Sequence, residues 1–129
     1  MSDAKSNYLE NKILDYVLRD TADWAPSAVY LSLHTSSPGE TDGNEISGNG
    51  YSRQAITFAA ASGGSSASNS VEEFTASGGS FGTITHFGIH DQSTDGNLLY
   101  YGALTGGGKT IADGDTLRFA SGAITISEA

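Results

Sequence analysis

Residues 84–104, ITHFGIHDQSTDGNLLYYGAL, decide the fold of this 129-residue chain. Both ends of the stretch, residues 84–90 and 98–104, are rich in residue types that favour β-strands. Between them, Asp95-Gly96-Asn97 supplies residues that readily adopt the positive φ angles of a tight hairpin turn. The stretch therefore predicts two antiparallel strands joined by a turn at residues 91–97.

The segments on either side of this hairpin continue the β pattern. Val29, Leu31 and Leu33 alternate with more polar residues, which predicts a strand with one buried face. Further short strands are predicted at residues 51–58, 71–74, 116–120 and 123–126. Many short strands joined by turns rich in Gly, Ser and Asp predict a mainly β fold, an antiparallel β-sandwich or jelly-roll-like domain.

One α-helix is predicted near the start of the chain, at residues 7–19. Asn7 or Ser6 can cap its first turn, and Glu10 follows Asn7 at the spacing of a capping box. Apolar side chains then recur at helical spacing, at Leu9, Ile13, Tyr16 and Val17. We expect this stripe to pack against the sheet.

The chain length predicts a single β-rich domain over residues 1–129, because one domain commonly has ~100–150 residues. An N-terminal arm, residues 1–6, precedes the helix, and the β-sandwich is expected over residues 27–126. Two stretches, residues 35–50 and 59–70, consist largely of small and polar residues and have little to bury. We therefore expect flexible loops there.

The acidic composition excludes several classes of partner. Asp and Glu number 15 against 6 Lys and Arg, giving a formal net charge of -9. Binding to nucleic acid or to an anionic membrane requires clustered basic residues. No segment approaches the ~20 apolar residues of a membrane span, and no N-terminal stretch resembles a secretory signal. We expect synthesis in the cytoplasm, with neither nucleic acid nor membrane as a partner.

Three sequence patterns resemble chemical motifs but depart from them. Residues 103–110, ALTGGGKT, have Ala103 where a phosphate-binding loop needs Gly, and the residues that follow predict a strand rather than a helix. The acidic turns at 42–44, 91–97 and 113–115 lack the closing Glu of a calcium loop. Cys is absent, and no Ser lies in a nucleophile elbow. The sequence therefore predicts no catalytic residue, no cofactor and no metal.

The three histidines are expected to be polar residues on strand faces. His86 and His90 are spaced as helical metal ligands would be, but on a strand they would lie about 13 Å apart. His34 has no companion ligand nearby in the sequence.

Large aromatic residues provide candidates for a protein interface, where Trp and Tyr are enriched. Tyr100 and Tyr101 are adjacent, so only one of them can face the core of a strand-built domain. Together with residues of the N-terminal arm, the predicted partner-interface residues are Ser2, Asp3, Lys5, Trp24, Tyr51, Tyr100 and Tyr101.

Several blocks in order resemble a widespread family of small virion proteins of tailed bacteriophages. The resemblance runs from about Ser6 to Ile126 and departs in the Ser/Ala/Gly-rich stretch after Phe58. The blocks that carry it are SNYLENKIL at 6–14, VYLSLHT at 29–35, EISG at 45–48, GYSRQA at 50–55, GTITHFGI at 82–89, GNLLYYGAL at 96–104 and DGDTLRF at 113–119.

The resemblance implies a structural protein of the virion without catalytic residues. Members are commonly described as tail-fibre proteins, yet a compact β module also resembles capsid decoration (cement) proteins. We expect a decoration protein on the capsid surface that binds the major capsid protein and copies of itself as a homotrimer. Residues 35–50, residues 59–70 and the N-terminal arm would grip the shell. The alternative is a tail or tail-fibre module that attaches to a glycan receptor.

Overall fold

A computed structural model describes residues 3–19 and 26–127 of the chain. These residues form one α-helix and eleven short β-strands. In chain order they are β1 Asp3–Lys5, α1 Asn7–Arg19, β2 Val29–His34, β3 Gln54–Ile56, β4 Ser65–Ala67, β5 Glu72–Thr75, β6 Gly82–Ile84, β7 His86–His90, β8 Leu98–Ala103, β9 Lys109–Ile111, β10 Thr116–Phe119 and β11 Thr125–Ser127.

A five-stranded antiparallel sheet, in the order β1-β8-β7-β2-β3, carries the fold. The predicted hairpin is its centre: β7 pairs with β8, and Asp95 and Gly96 turn the chain with φ angles of 54° and 70°. Asp and Gly tolerate positive φ more readily than most residues, which suits them to these turn positions. The hairpin prediction is confirmed.

Three two-stranded antiparallel ladders, β5–β10, β4–β11 and β6–β9, lie over one face of this sheet. Leu31, Leu33 and Phe87 of the large sheet are fully buried in a core shared with residues of the ladders. The ladders supply Phe74, Ile84, Ile111, Leu117 and Ile126 to the same core. The predicted fold class, mainly β with antiparallel sheets and one N-terminal helix, is confirmed.

Residues 84–90 are not one continuous strand. Ile84 ends β6, which pairs with β9 in a ladder, whereas His86 begins β7 in the five-stranded sheet. At the break, Thr85 still donates its N–H to the carbonyl of His34. The chain thus passes from one layer to the other without losing this backbone hydrogen bond.

The helix packs differently from its sequence pattern. Ser6 is the cap, since its Oγ accepts the N–H of Leu9 at 3.2 Å and its hydroxyl donates to the carbonyl of Leu98. Of the predicted apolar stripe, Leu9 is buried and Ile13 half-buried, but Tyr16 and Val17 are 50 % and 72 % exposed. The helix packs mainly on β8 and β1 at one edge of the sheet, and its later turns extend past the surface that could cover them.

Two segments form strands where an arm and a flexible loop were expected. They are residues 3–5 of the N-terminal arm and residues 65–67 of the second loop. Asp3–Lys5 extends the five-stranded sheet beside β8, and Ser65–Ala67 pairs with β11. Ser68 is also buried, and its Oγ accepts the N–H of Ile124 at 3.3 Å. Backbone pairing does not need large side chains, so small-residue segments can complete a sheet edge.

Candidate functional site

The predicted interface residues are not brought together as one surface. Lys5 and the backbone of Asp3 lie on the edge strand β1, and Ser2 and Trp24 lie outside the described residues. Tyr100 packs against the core. Tyr101 pairs with Gly88 on the neighbouring strand, and the side chains around Gly88 lie on the face of the sheet opposite the core. This split follows the side-chain alternation expected of adjacent strand residues.

Tyr51 has an internal structural role. Its ring stacks on Phe74 and meets Phe81 edge-on, each with ring centroids 6.1 Å apart. Its hydroxyl donates to Glu45 and accepts the N–H of Leu33. Burial, reinforced by the hydrogen bond to Glu45, raises the pKa of Tyr51 above its ordinary value. The Tyr51 side chain therefore packs in the core and is hydrogen-bonded to a neighbouring loop.

The face of the sheet opposite the core carries a buried polar cluster. Ser32 and His34 of β2 and His90 of β7 are all 0 % exposed. The two imidazole rings are stacked, with centroids 6.1 Å apart and planes 5° from parallel. Ser32 Oγ lies between them, 2.8 Å from His34 Nε2 and 3.0 Å from His90 Nδ1.

Both ends of this cluster reach the dipeptide Asp42-Gly43 in the loop that follows β2. His34 Nδ1 donates to the carbonyl of Gly43 at 2.7 Å, and His90 Nε2 lies 2.9 Å from Asp42 Oδ2. Asp42 Oδ1 also accepts the N–H of Gly43 at 2.8 Å, in a turn where Asp42 has a φ of 74°. We call the connected groups, His34, Ser32, His90, Asp42 and Gly43, the histidine chain.

Gly88 makes room for the histidine chain. A Cβ at this position would lie 2.6 Å from Ser32 Oγ and 2.8 Å from His34 Nε2. Distances this short are repulsive, so only glycine lets β7 carry the cluster beside β2.

The histidine chain resembles a hydrolytic triad in composition but not in access. Asp42, His90 and Ser32 are hydrogen-bonded in the order that activates a nucleophilic serine. Ser32 is fully buried, and its Oγ is already engaged by both histidines. The Ser32 oxygen is therefore not presented at the surface of the described residues, and its hydrogen bonds connect the two histidines.

The protonation of His34 follows from its surroundings. Burial lowers the pKa of His34, and the hydrogen bond to Gly43 and the charge of Glu45 offset only part of that effect. The side chain therefore favours the neutral form with its hydrogen on Nδ1, because the carbonyl of Gly43 can only accept.

A second polar cluster lies beside the histidine chain and ties three segments together. The guanidinium of Arg53 binds Glu45 through two nitrogens, each at 2.8 Å. Its Nη1 donates to the carbonyls of Gln92 and Asp95 in the β7–β8 turn, at 2.9 Å and 2.7 Å. The Arg53 side chain is only 7 % exposed. We call this group the arginine clamp.

The arginine clamp shifts the ionisation of its own members. Burial opposes the charged form of Glu45, but hydrogen bonds from Arg53 and Tyr51 outweigh it and hold the pKa of Glu45 below its ordinary value. Burial likewise opposes the charge on Arg53, and the bond to Glu45 outweighs it, so the pKa of Arg53 is raised. The pair is ionised and held in a fixed geometry.

Two clefts of about 300 Å³ open on the described surface. One is polar and lies where the helix start meets the loop, between Tyr8, Glu40, Asp42 and Asn97. The other is apolar and lies between the large sheet and the β4–β11 ladder, lined by Val29, Phe58, Ile89, Tyr100 and Ile126 among others.

Over residues 3–19 and 26–127, no three His, Asp or Glu side chains converge as metal ligands would. Within the same ranges, no helix has the length and apolar character needed to cross a bilayer. Lys109–Ile111, after the Gly-rich turn, is a strand, and a phosphate loop would need a helix there.

Sequence reasoning missed the histidine chain. His34 was predicted to lack a companion ligand, yet His90 stacks on it and Asp42 completes the group. The available signal was the two-residue period of a strand: Ser32 and His34 share one face of their strand, and Gly88 and His90 share one face of another. Only the register of β2 against β7 brings the two pairs together.

A comparison with family models finds one match, described as Podophage GP4 fiber I protein gp80, over residues 4–127. No curated protein matches the chain. The matched range covers nearly all of the 129 residues, including the helix, every described strand from β2 to β11 and both polar clusters. The chain therefore belongs to the Podophage GP4 fiber I protein gp80 family, a family of fibre-type structural proteins of bacteriophages.

Proposed function

We propose that this protein is a non-enzymatic module of a phage fibre that acts by contact with other virion proteins. The observation that carries the proposal is the family match over residues 4–127. The polar groups support it as well, because Ser32 and His90 are fully buried and the charges of the arginine clamp hold loops in place. A module that transmits force or grips neighbours needs such internal ties more than it needs an open site.

Copies of the same chain are the first partners we propose. The later turns of α1 expose Leu14, Val17 and Leu18 at 54 %, 72 % and 74 %. Apolar side chains three and four residues apart form a continuous patch on a helix, and such patches are typical of protein contacts. A homotrimer is the assembly we propose.

Capsid decoration is the second candidate, with the major capsid protein as its partner. A fibre shaft needs a long coiled coil or extended repeats, whereas the helix described here has 13 residues and the strands have three to six. This compactness favours either a fibre's attachment or tip module, or a small protein fixed to the head. Attachment of a tip module to a host glycan belongs to the fibre proposal, and the polar cleft beside Tyr8 is where we would look for it.

Copy number separates the two candidates. Purified virions would be analysed by quantitative mass spectrometry, with the major capsid protein as the internal standard. The fibre proposal predicts a small number of copies per particle, a low multiple of the fibre number. Stoichiometry close to that of the capsid protein would instead establish decoration, and absence from purified virions would contradict both.

Enzymatic activity is tested separately with a fluorophosphonate probe, which labels serine hydrolases. Native protein should remain unlabelled, because Ser32 is buried. Labelling that disappears in Ser32→Ala would overturn the non-enzymatic proposal.

A further inference from the structure

The hydrogen count of the histidine chain does not balance with ordinary neutral histidines. Four hydrogen bonds run from Gly43 O through His34, Ser32 and His90 to Asp42. Each bond needs one hydrogen, so the histidine chain needs four. Two neutral imidazoles and one hydroxyl supply three, and an ionised Asp42 supplies none. One excess proton is required to complete the chain.

The geometry restricts where this proton can be. Gly43 O only accepts, so one hydrogen lies on His34 Nδ1. If His34 is neutral, Ser32 donates to His34 Nε2 and accepts from His90 Nδ1, and His90 Nε2 then donates to Asp42. His90 then carries both ring hydrogens and forms an ion pair with Asp42. The Asp42 carboxylate, 2.9 Å from His90 Nε2, favours this arrangement over the one with the charge on His34, whose pKa burial lowers.

We propose that the histidine chain is a proton-dependent latch, in which a single excess proton on His90 holds the Asp42-Gly43 turn against the five-stranded sheet. The loop is tied down on either side of the turn: Asn7 on α1 donates its N–H to Glu40 O before it, and Ile46 donates to Leu33 O after it. The histidine chain holds the turn between these points. Release of the turn would also reshape the polar cleft, because Asp42 lines one wall.

The latch is strongest while it carries one excess proton. Removal of that proton leaves three hydrogens for four bonds. The bonds from His34 to Gly43 and from His90 to Asp42 can still form, but a bond at Ser32 is lost and the His90–Asp42 contact is no longer an ion pair. A second excess proton keeps four bonds, since Ser32 Oγ can accept twice, but it places two cationic rings 6.1 Å apart in a buried stack. Either change weakens the hold on the turn.

Other charged and titratable groups surround the latch and interact with it: Glu45 interacts with both histidines, and Arg53 with Asp42. The loop contributes Glu40 and Glu45, the following segment contributes Arg53, and β7 contributes His86, which bonds to Thr85 rather than to the chain. On β8, Tyr101 has its pKa raised by burial and then by the charges of Glu40 and of Glu10 on α1. Only His90 and Asp42 contact each other directly at the end of the histidine chain.

Nuclear magnetic resonance of the full chain, with ¹⁵N-labelled histidine, tests the latch. Ring-nitrogen shifts near neutral pH should identify His34 as the neutral Nδ1–H form and His90 as the doubly protonated form. Two neutral histidines, at a pH where the turn is protected, would overturn the proposal. This reading uses the unsubstituted protein and does not depend on any variant folding.

Amide hydrogen exchange over residues 35–45 provides the second readout. Protection factors, corrected for intrinsic exchange, should fall on both sides of a maximum, by about tenfold or more, as loss of one buried hydrogen bond allows. His90→Gln removes the titrating ring but keeps an amide, so it should flatten this profile. His86→Gln is the matched control and should leave the profile unchanged. An unchanged profile in His90→Gln would contradict the latch.

Discussion

His34 and His90 are stacked face to face beneath the Asp42-Gly43 turn, with a serine hydroxyl bonded to both rings. This pair shows how the fold uses its second sheet face. One face of the large sheet builds an apolar core with the small ladders, whereas the other holds a loop through buried polar groups. The loop is thereby positioned by hydrogen bonds whose lengths and directions are specific.

Gly88→Ala should destabilise the protein by about 1–3 kcal/mol, the usual cost of forcing extra volume into a packed site. The added Cβ would lie 2.6 Å from Ser32 Oγ and would displace the histidine chain. Gly108→Ala is the control, because its Cβ would lie 3.0 Å and 3.3 Å from the methyl groups of Thr83 and Thr85 and 3.6 Å from the carbonyl oxygen of Ile84, all longer than the contacts at Gly88. Urea denaturation of both variants checks the prediction, and equal midpoints would refute it.

Leu33→Ala should lower the free energy of unfolding by about 2–5 kcal/mol, because the side chain is fully buried in the shared core. Leu18→Ala on the exposed part of α1 should change it by less than about 0.5 kcal/mol in the isolated chain. Chemical denaturation at low protein concentration measures both. A large loss in Leu18→Ala would mean that the helix patch is already covered in solution.

Arg53→Ala should cost about 3–5 kcal/mol, because it leaves Glu45 partly buried without its partner and frees the β7–β8 turn. Arg118→Ala is the matched control. Arg118 and Glu73 are 3.6 Å apart with both side chains more than half exposed, so removal of this pair should change stability by at most about 1 kcal/mol. Thermal unfolding of the two variants measures both effects. Equal midpoints would show that the arginine clamp does not stabilise the fold.

Acid should weaken the protein through Glu45. The folded-state pKa of Glu45 lies below its ordinary value of 4.5, so the folded state binds fewer protons than the unfolded state. The stabilisation is complete above about pH 4.5 and is lost as pH falls through the lower folded value. Glu45→Gln should make the stability less dependent on pH in that range, as measured by denaturation at a series of pH values. A steeper dependence in the variant would contradict the sign of the shift.

The local pattern of the sequence was sufficient for the hairpin and for the placement of Tyr100 and Tyr101 on opposite faces. Asp95 and Gly96 encode the turn through their backbone preferences, and adjacent strand residues necessarily alternate. Both inferences depend only on neighbouring residues.

Features that depend on distant partners were not predictable in the same way. Asp3–Lys5 becomes a strand because β8 offers it an unpaired edge, and nothing in Asp-Ala-Lys signals that edge. The exposure of Tyr16 and Val17 reflects where the sheet ends rather than the helical spacing. His34, His90 and Asp42 meet only because of strand register and a loop conformation, which sequence periodicity does not encode.

Immunogold electron microscopy of purified virions tests the central claim most directly. Antibodies against the purified protein would be applied to intact particles, and gold positions would be scored on head, tail and fibres. The account predicts labelling of the fibres, lost in particles from a phage that lacks the gene. Gold confined to the head surface would contradict the fibre assignment, and particles without any label would contradict a structural role in the virion.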